Sequence, residues 1–140
     1  MDAMRLPAAY VTWSGHVNPV LIVDDDAAVR RTIARFLGLE GFTVIQTDNG
    51  LAALAYLRGG GKASVIVLDL RMPVMDGWTF RREQRRDSAF AHIPVIVLSG
   101  ADEDRFNELE AAATLQKPAS MSEVLRCVRL LCENLGTSRA

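Results

Sequence analysis

Four stretches of the chain end in side chains that could do chemistry together. Asp24, Asp25 and Asp26 follow the apolar run Val20 to Val23, Asp69 follows Val65 to Leu68, Ser99 follows Val95 to Leu98, and Lys117 follows Thr114 to Gln116. If each run is a strand of one parallel sheet, carboxylates, a hydroxyl and an ammonium collect where open α/β sheets bind ligands, outside the carboxyl ends of the strands. Carboxylates crowded within a few ångströms repel strongly at reduced dielectric, so the group needs raised pKa values or a cation. Mg²⁺ suits such a group, because it takes oxygen ligands, keeps several waters and uses one or two carboxylates together with phosphate oxygens. With an ion present, one carboxylate can attack phosphorus and become an aspartyl phosphate. Phosphoryl transfer then asks mainly for alignment and charge neutralisation, to which Lys117 brings a point charge and Ser99 a hydrogen bond.

The elements that must deliver these residues follow one rhythm. Val20 to Val23 is a short, continuous apolar run, as in a parallel strand buried on both faces. Asp26 can cap a helix over Ala27 to Leu39, with Val29, Ile33, Phe36 and Leu37 at helical spacing and Gly38 and Gly41 near its end. The pattern predicts a second strand at Phe42 to Gln46, a turn at Asp48 to Gly50, a helix over Leu51 to Leu57 and a third strand at Val65 to Leu68. A helix capped by Asp76 and reaching about Arg86 follows, then a strand at Val95 to Leu98 after Pro94. A helix over Glu103 to Ala112, a brief strand at Thr114 to Gln116 and a final helix over Met121 to Leu135 complete the series. Such alternation implies a parallel sheet with helices on both faces. In this frame Asp26 and Asp76 read as helix caps, Met72 and Met75 as packing residues, and Gly77 as part of a helix start. His16 and His92 have no ligand partner nearby in the pattern and are given no role.

Composition narrows the class. Of 140 residues, 49% are apolar and 24% charged, as in one soluble globular domain. Sixteen basic residues against seventeen acidic give a net charge of −1, which removes the electrostatic argument for nucleic acid or an anionic membrane surface. No apolar run approaches the roughly 20 residues of a spanning helix. The start of the chain, with Arg5 and the patch Ala8 to Val11, does not build a secretory signal, so a cytoplasmic product is expected. Cys127 and Cys132 lack the spacing of redox or zinc sites and read as reduced thiols on a helix.

The chemistry-bearing segments are Val20-Leu-Ile-Val-Asp-Asp-Asp26, Val65-Ile-Val-Leu-Asp-Leu-Arg-Met-Pro-Val-Met-Asp-Gly77, Ile93-Pro-Val-Ile-Val-Leu-Ser-Gly100 and Lys117-Pro118. In order and spacing they resemble the receiver domain of bacterial two-component response regulators. The resemblance covers residues 19–135, with residues 1–18 and 136–140 left as tails. It implies a flavodoxin-like, doubly wound (βα)5 fold with a five-stranded parallel sheet in the order 2-1-3-4-5. It also implies Asp69 as the phosphoacceptor, Asp24, Asp25, Asp69 and the backbone carbonyl of Arg71 as Mg²⁺ ligands, and Asp24 acting partly through water. Ser99 stands at the position that follows the phosphoryl group on activation, and Lys117 at that of the lysine before a cis proline. The implied donor is a sensor histidine kinase or a histidine phosphotransfer protein, and the implied output is a downstream protein.

Three departures from the family pattern lie on the face that would meet such a partner. Thr114 stands where receivers commonly carry Tyr or Phe, Ala119 replaces a common aromatic, and the stretch from Ser99 to Lys117 is about one helical turn short. Arg71, two residues past the acceptor, lies beside the path of an attacking water. No output segment is read after Leu135, so the expectation is a stand-alone receiver that catalyses its own phosphorylation and dephosphorylation and signals in trans, rather than an enzyme acting on other molecules. The alternative is a receiver-like interaction module whose partner reads it independently of phosphorylation. A phosphatase acting on other molecules is disfavoured, because Arg71 stands where a second acid/base carboxylate would be needed.

Overall fold

The structure, a computed structural model, describes residues 18–100 and 108–139. Residues 1–17 of the expected tail, with Trp13 and His16, lie outside the described residues, as does 103–107 of the expected fourth helix. Val20–Val23 (β1), Val65–Asp69 (β3) and Val95–Ser99 (β4) are buried at every position, which requires cover on both faces of their sheet. The edge strands Val44–Thr47 (β2) and Ala113–Gln116 (β5) are only partly buried. All pair in parallel, in the order β2-β1-β3-β4-β5, the 2-1-3-4-5 order expected.

Because side chains alternate across a strand, the sheet feeds two cores. Leu21, Val23, Ile66, Leu68, Val95 and Val97 pack against Leu54 and Leu57 of helix α2 (Gly50–Arg58) and Trp78 and Phe80 of α3 (Gly77–Arg85). Val20, Ile22, Val65, Val67, Ile96 and Leu98 meet Ile33 and Leu37 of α1 (Ala27–Leu39) and Val124 and Val128 of α4 (Met121–Arg139). Met72 and Met75 pack against the first core, as read from the sequence. No described helix is long and apolar enough to cross a membrane.

Local chemistry sets the boundaries. Asp26 caps α1 by accepting from Ala28 and Val29 N–H, and Asp76 caps α3 by accepting from Thr79 N–H. Asn49 caps α2 in the same way through Ala52 N–H, which makes the expected turn the start of a helix. At α4, Ser120 and Glu123 form a reciprocal capping box.

Three expectations need correction. The second strand begins at Val44, because Phe42 belongs to the end of α1. Its N–H bonds Leu37 O at 3.0 Å, Gly41 N–H bonds Gly38 O at 3.1 Å, and Gly41 has φ +100°: a Schellman cap with an apolar Phe42–Leu37 contact. The fourth helix cannot run to Ala112, since Glu110 has φ +47° and Ala112 N–H already bonds Val95 O. The last helix continues past Leu135 to Arg139, since one glycine costs a helix only about 1 kcal/mol.

Gly77 has a closer constraint than a helix start. A Cβ there would lie 2.5 Å from Asp69 O and 2.8 Å from Leu70 Cα, both backbone atoms that cannot swing aside. Gly77→Ala is expected to lower the unfolding free energy by about 2 kcal/mol. Gly38, in α1, has nothing within 4 Å of its Cβ position, so Gly38→Ala is expected to raise stability by about 0.5–1 kcal/mol. Urea midpoints at unchanged m-value measure both; a neutral Gly77→Ala contradicts the close packing.

Candidate functional site

Register brings the acidic residues together. Val23 stands opposite Leu68, so the next residues, Asp24 and Asp69, leave neighbouring strands side by side. Leu98 pairs with Asp69 and Gln116 with Ser99, which sets Ser99 and Lys117 one step further along the same edge. Carboxylate oxygens of Asp24, Asp25 and Asp69 lie within 4.8 Å of one another. Asp25, Asp69, Arg71, Ser99 and Lys117 line one cavity of about 320 Å³.

Beneath it sits Asp24, 1% exposed. Its Oδ1 accepts from Asp26 N–H at 2.9 Å and its Oδ2 pairs with Lys117 Nζ at 3.3 Å. Lys117 Nζ also reaches Asp69 Oδ1 at 3.2 Å, so one ammonium bridges two buried carboxylates. The Lys117-Pro118 peptide is cis, as the resemblance implied, and Lys117 N–H bonds Ser99 O at 2.6 Å.

The electrostatics follow from that packing. Burial first, and then the charge of Asp24, push the Asp69 carboxyl up to about 6, while Lys117 opposes both. Burial pulls the Lys117 ammonium down, but the charges of Asp69 and Asp24 outweigh it and leave the pKa raised. Three carboxylates therefore gather around the Lys117 ammonium, which pairs with two of them, and the Arg71 guanidinium lines the same cavity. All-oxygen donors at this spacing suit a hard divalent ion.

The loop after Asp69 is fastened at both ends. Gly77 N–H bonds Leu70 O at 2.8 Å and Gly50 N–H bonds Met75 O at 3.1 Å. Between them Met75 N–H bonds Pro73 O around Val74, whose φ is +72°, a strained γ-turn carrying an exposed β-branched side chain. Arg71 extends its guanidinium over the Trp78 ring, 5.6 Å from the centroid.

The structure thus unites Asp24, Asp25, Asp69, Arg71, Ser99 and Lys117, and Asp26 lines the same cavity while its side chain caps α1. Thr114 is exposed on β5 and His92 is exposed ahead of β4. Ala119 borders an adjoining apolar cavity of about 430 Å³ between α1 and α4, which shares Gly100 and Lys117 with the acidic one. Sequence reasoning missed Arg30, which donates to Asp24 O at 2.9 Å and so braces the strand end. Nothing in the sequence distinguishes it from Arg31 beside it, because only the helix's rotation against β1 decides which of the two turns inward.

Comparison with known proteins agrees with this geometry. The family model for the response regulator receiver domain matches residues 20–129. The response regulator MprA of Mycobacterium ulcerans is 35% identical over 116 residues, covering 80% of this chain and 49% of MprA. RpaA of Synechocystis, by name a DNA-binding transcriptional regulator, is 34% identical over 80% of this chain and 48% of its own length. The chain therefore spans about half the length of these two relatives. Among solved structures, the receiver domain of the Francisella response regulator 1452 superposes with a TM-score of 0.76 at 27% identity, covering 84% of this chain and 98% of that one. The chemotaxis response regulator CheY4 of Vibrio cholerae gives 0.75 at 27% identity, over 82% and 98%. With its sheet order, acidic edge and bridging lysine, the chain belongs to the response regulator receiver domain family.

Proposed function

We propose that Asp69 accepts a phosphoryl group from a phosphohistidine of a sensor histidine kinase or a histidine phosphotransfer protein, and that the loaded domain signals to a protein partner in the cytoplasm. The observation that carries this reading is the Lys117 ammonium held between Asp24 and Asp69 beside a third carboxylate. The near-neutral net charge gives these residues no electrostatic ground for binding nucleic acid.

In this reading Asp24, Asp25, Asp69 and the backbone carbonyl of Arg71 hold Mg²⁺. When bound, the ion neutralises carboxylate and phosphoryl charge. An Asp69 oxygen attacks phosphorus, the phosphorus–nitrogen bond of the donor breaks, and its electron pair returns to the imidazole. Lys117 is already bonded to Asp69 Oδ1 and follows the growing negative charge onto a phosphoryl oxygen. Ser99, at the cavity wall, donates its hydroxyl to another. Loss of the group requires a water to reach phosphorus past Arg71, whose guanidinium lies over the Trp78 ring at the cavity wall. The domain thereby catalyses its own loading and unloading.

Incubation with acetyl phosphate and Mg²⁺ is expected to give one acid-stable, hydroxylamine-labile phosphoryl group per chain. Asp69→Ala abolishes it, and unchanged labelling there removes the assignment. Lys117→Met is expected to slow labelling by at least about a hundredfold while Mg²⁺ still binds; a rate within tenfold of wild type contradicts the role given to Lys117.

Proton competition at Asp69 fixes the pH dependence. Its folded pKa, about 6, lies above the ordinary carboxyl value of 3.8, so the metal-free folded state binds a proton that the unfolded state releases. That stabilisation is complete below pH 3.8 and lost as pH rises through about 6. Without metal near pH 7.5, Asp69→Asn is expected to be about 2 kcal/mol more stable than wild type, and the gap closes toward about pH 4. Mg²⁺ affinity of the wild type, followed by calorimetry, is expected to weaken about tenfold per unit below about pH 6 and to level off above it. An affinity flat across that range contradicts the raised carboxyl.

A further inference from the structure

Away from the acidic edge, α3 carries a second buried polar system with no part in the chemistry above. Arg81 is 8% exposed and Gln84 fully buried. A guanidinium tolerates burial only when its donors are paired, and all three nitrogens of Arg81 are. Nε donates to Leu109 O at 2.7 Å, Nη1 to Gln84 Oε1 at 2.7 Å and Nη2 to Glu110 O at 2.8 Å. Gln84 Nε2 passes the network on to Phe90 O and Ile93 O at 3.0 and 3.1 Å. One turn later Arg85 donates to Glu108 O at 3.2 Å and to the Glu110 carboxylate at 2.8 Å. Burial, and then the charge of Arg85, lower the Arg81 pKa against the pull of Glu110, so this grip is held at a cost.

Three consecutive residues ahead of β5 are therefore held by two side chains of one helix. The middle of the grip is strained: Glu110 has φ +47°, a left-handed conformation that L side chains seldom adopt. Its carbonyl is fixed by Arg81 and its carboxylate by Arg85, so the clamp over-determines the turn. Downstream, β5 is an edge strand laddered only to β4, with Thr114 and Gln116 exposed.

The opposite end of α3 touches the acceptor. Gly77 packs against the carbonyl of Asp69 and bonds Leu70 O, leaving no room even for a methyl group. The helix between the two contacts is nine residues, a rod of about 13 Å. Any adjustment of the Asp69 backbone is met by Gly77 without slack, and the rod carries it to Arg81 and Arg85.

We propose that α3 is a rigid coupler, with Arg81 and Arg85 as positioning residues that transmit the loaded state of Asp69 to the Glu110 turn and the β5 edge. This rests on Asp69 being the phosphoacceptor, and it deepens that reading by naming the route from site to surface. The element with two arrangements is the Glu110 turn, clamped in its left-handed form or released toward an ordinary φ.

The test is hydrogen exchange of the full chain with Mg²⁺, with and without beryllium trifluoride, followed by mass spectrometry over residues 108–116. Fluoride NMR reports uptake of the mimic independently. In wild type, loading is expected to change exchange across 108–116 by at least about fivefold. In Arg81→Met exchange there is faster in both states, but the difference on loading disappears while uptake of the mimic stays within about twofold. A purely structural Arg81 would speed exchange and keep the difference. Should Arg81→Met fail to fold, Arg85→Gln decides, because that side chain is 38% exposed and its loss leaves the buried network whole; the difference on loading is then expected to fall by about half. Wild type that loads without any change over 108–116, or folded variants that keep the full change, overturns the coupler. Wild type that takes up no mimic overturns the phosphoacceptor reading itself, a result told apart by the NMR signal alone.

Discussion

One ammonium between two buried carboxylates is the interaction on which the rest of this molecule depends. Asp24 and Asp69 leave adjacent strands in register and would repel each other at the end of two apolar strands. Lys117 makes that arrangement tolerable, and reaches it only because β5 ends at the correct height beside β4. Strand order, register and the buried charge pair thus form one constraint. Moving β5 away from β4 would carry the lysine away from both of its partners.

The charge is nonetheless left unbalanced. Three carboxylates to one lysine is a poor arrangement for stability and a good one for binding a cation, and the raised Asp69 carboxyl expresses that conflict. The neighbouring loop shows the same preference. Val74 is held in a strained γ-turn, and Gly77 is pressed against the Asp69 carbonyl, because the loop is tied to α2 and α3 rather than left to relax. Rigid support of a reactive group costs folding energy locally, and the two apolar cores on either face of the sheet offset it.

Thr114 and Ala119 mark where this chain parts from the pattern its chemistry otherwise follows. Both are small, Thr114 lies within β5 and Ala119 just after it, and Ala119 borders an open apolar cavity between α1 and α4. From α3 the chain directs Arg81, Gln84 and Arg85 into a network that holds residues 108–110, ahead of β5. Residues 108–110, ahead of β5, are held by hydrogen bonds from α3 together with the burial of Leu109 in the first core.

The sequence by itself determined the existence and order of the strands, two of the helix caps and the members of the acidic edge. Continuous apolar runs ending in Asp, Ser or Lys can be read without a structure, because burial on both faces erases the period-two pattern and the polar residue marks where the strand stops. Asp26 and Asp76 were legible for a similar local reason: a cap bonds N–H groups two or three residues away. Tertiary structure alone decided what depends on contacts between distant residues. Phe42 joined the end of α1 because its N–H bonds Leu37 O, Arg30 braced Asp24 because of the rotation of α1, and Gly77 is confined because two backbones meet there. The Glu110 turn and its arginine clamp span 25 to 29 residues of sequence, and no local pattern announces a bond made across that distance.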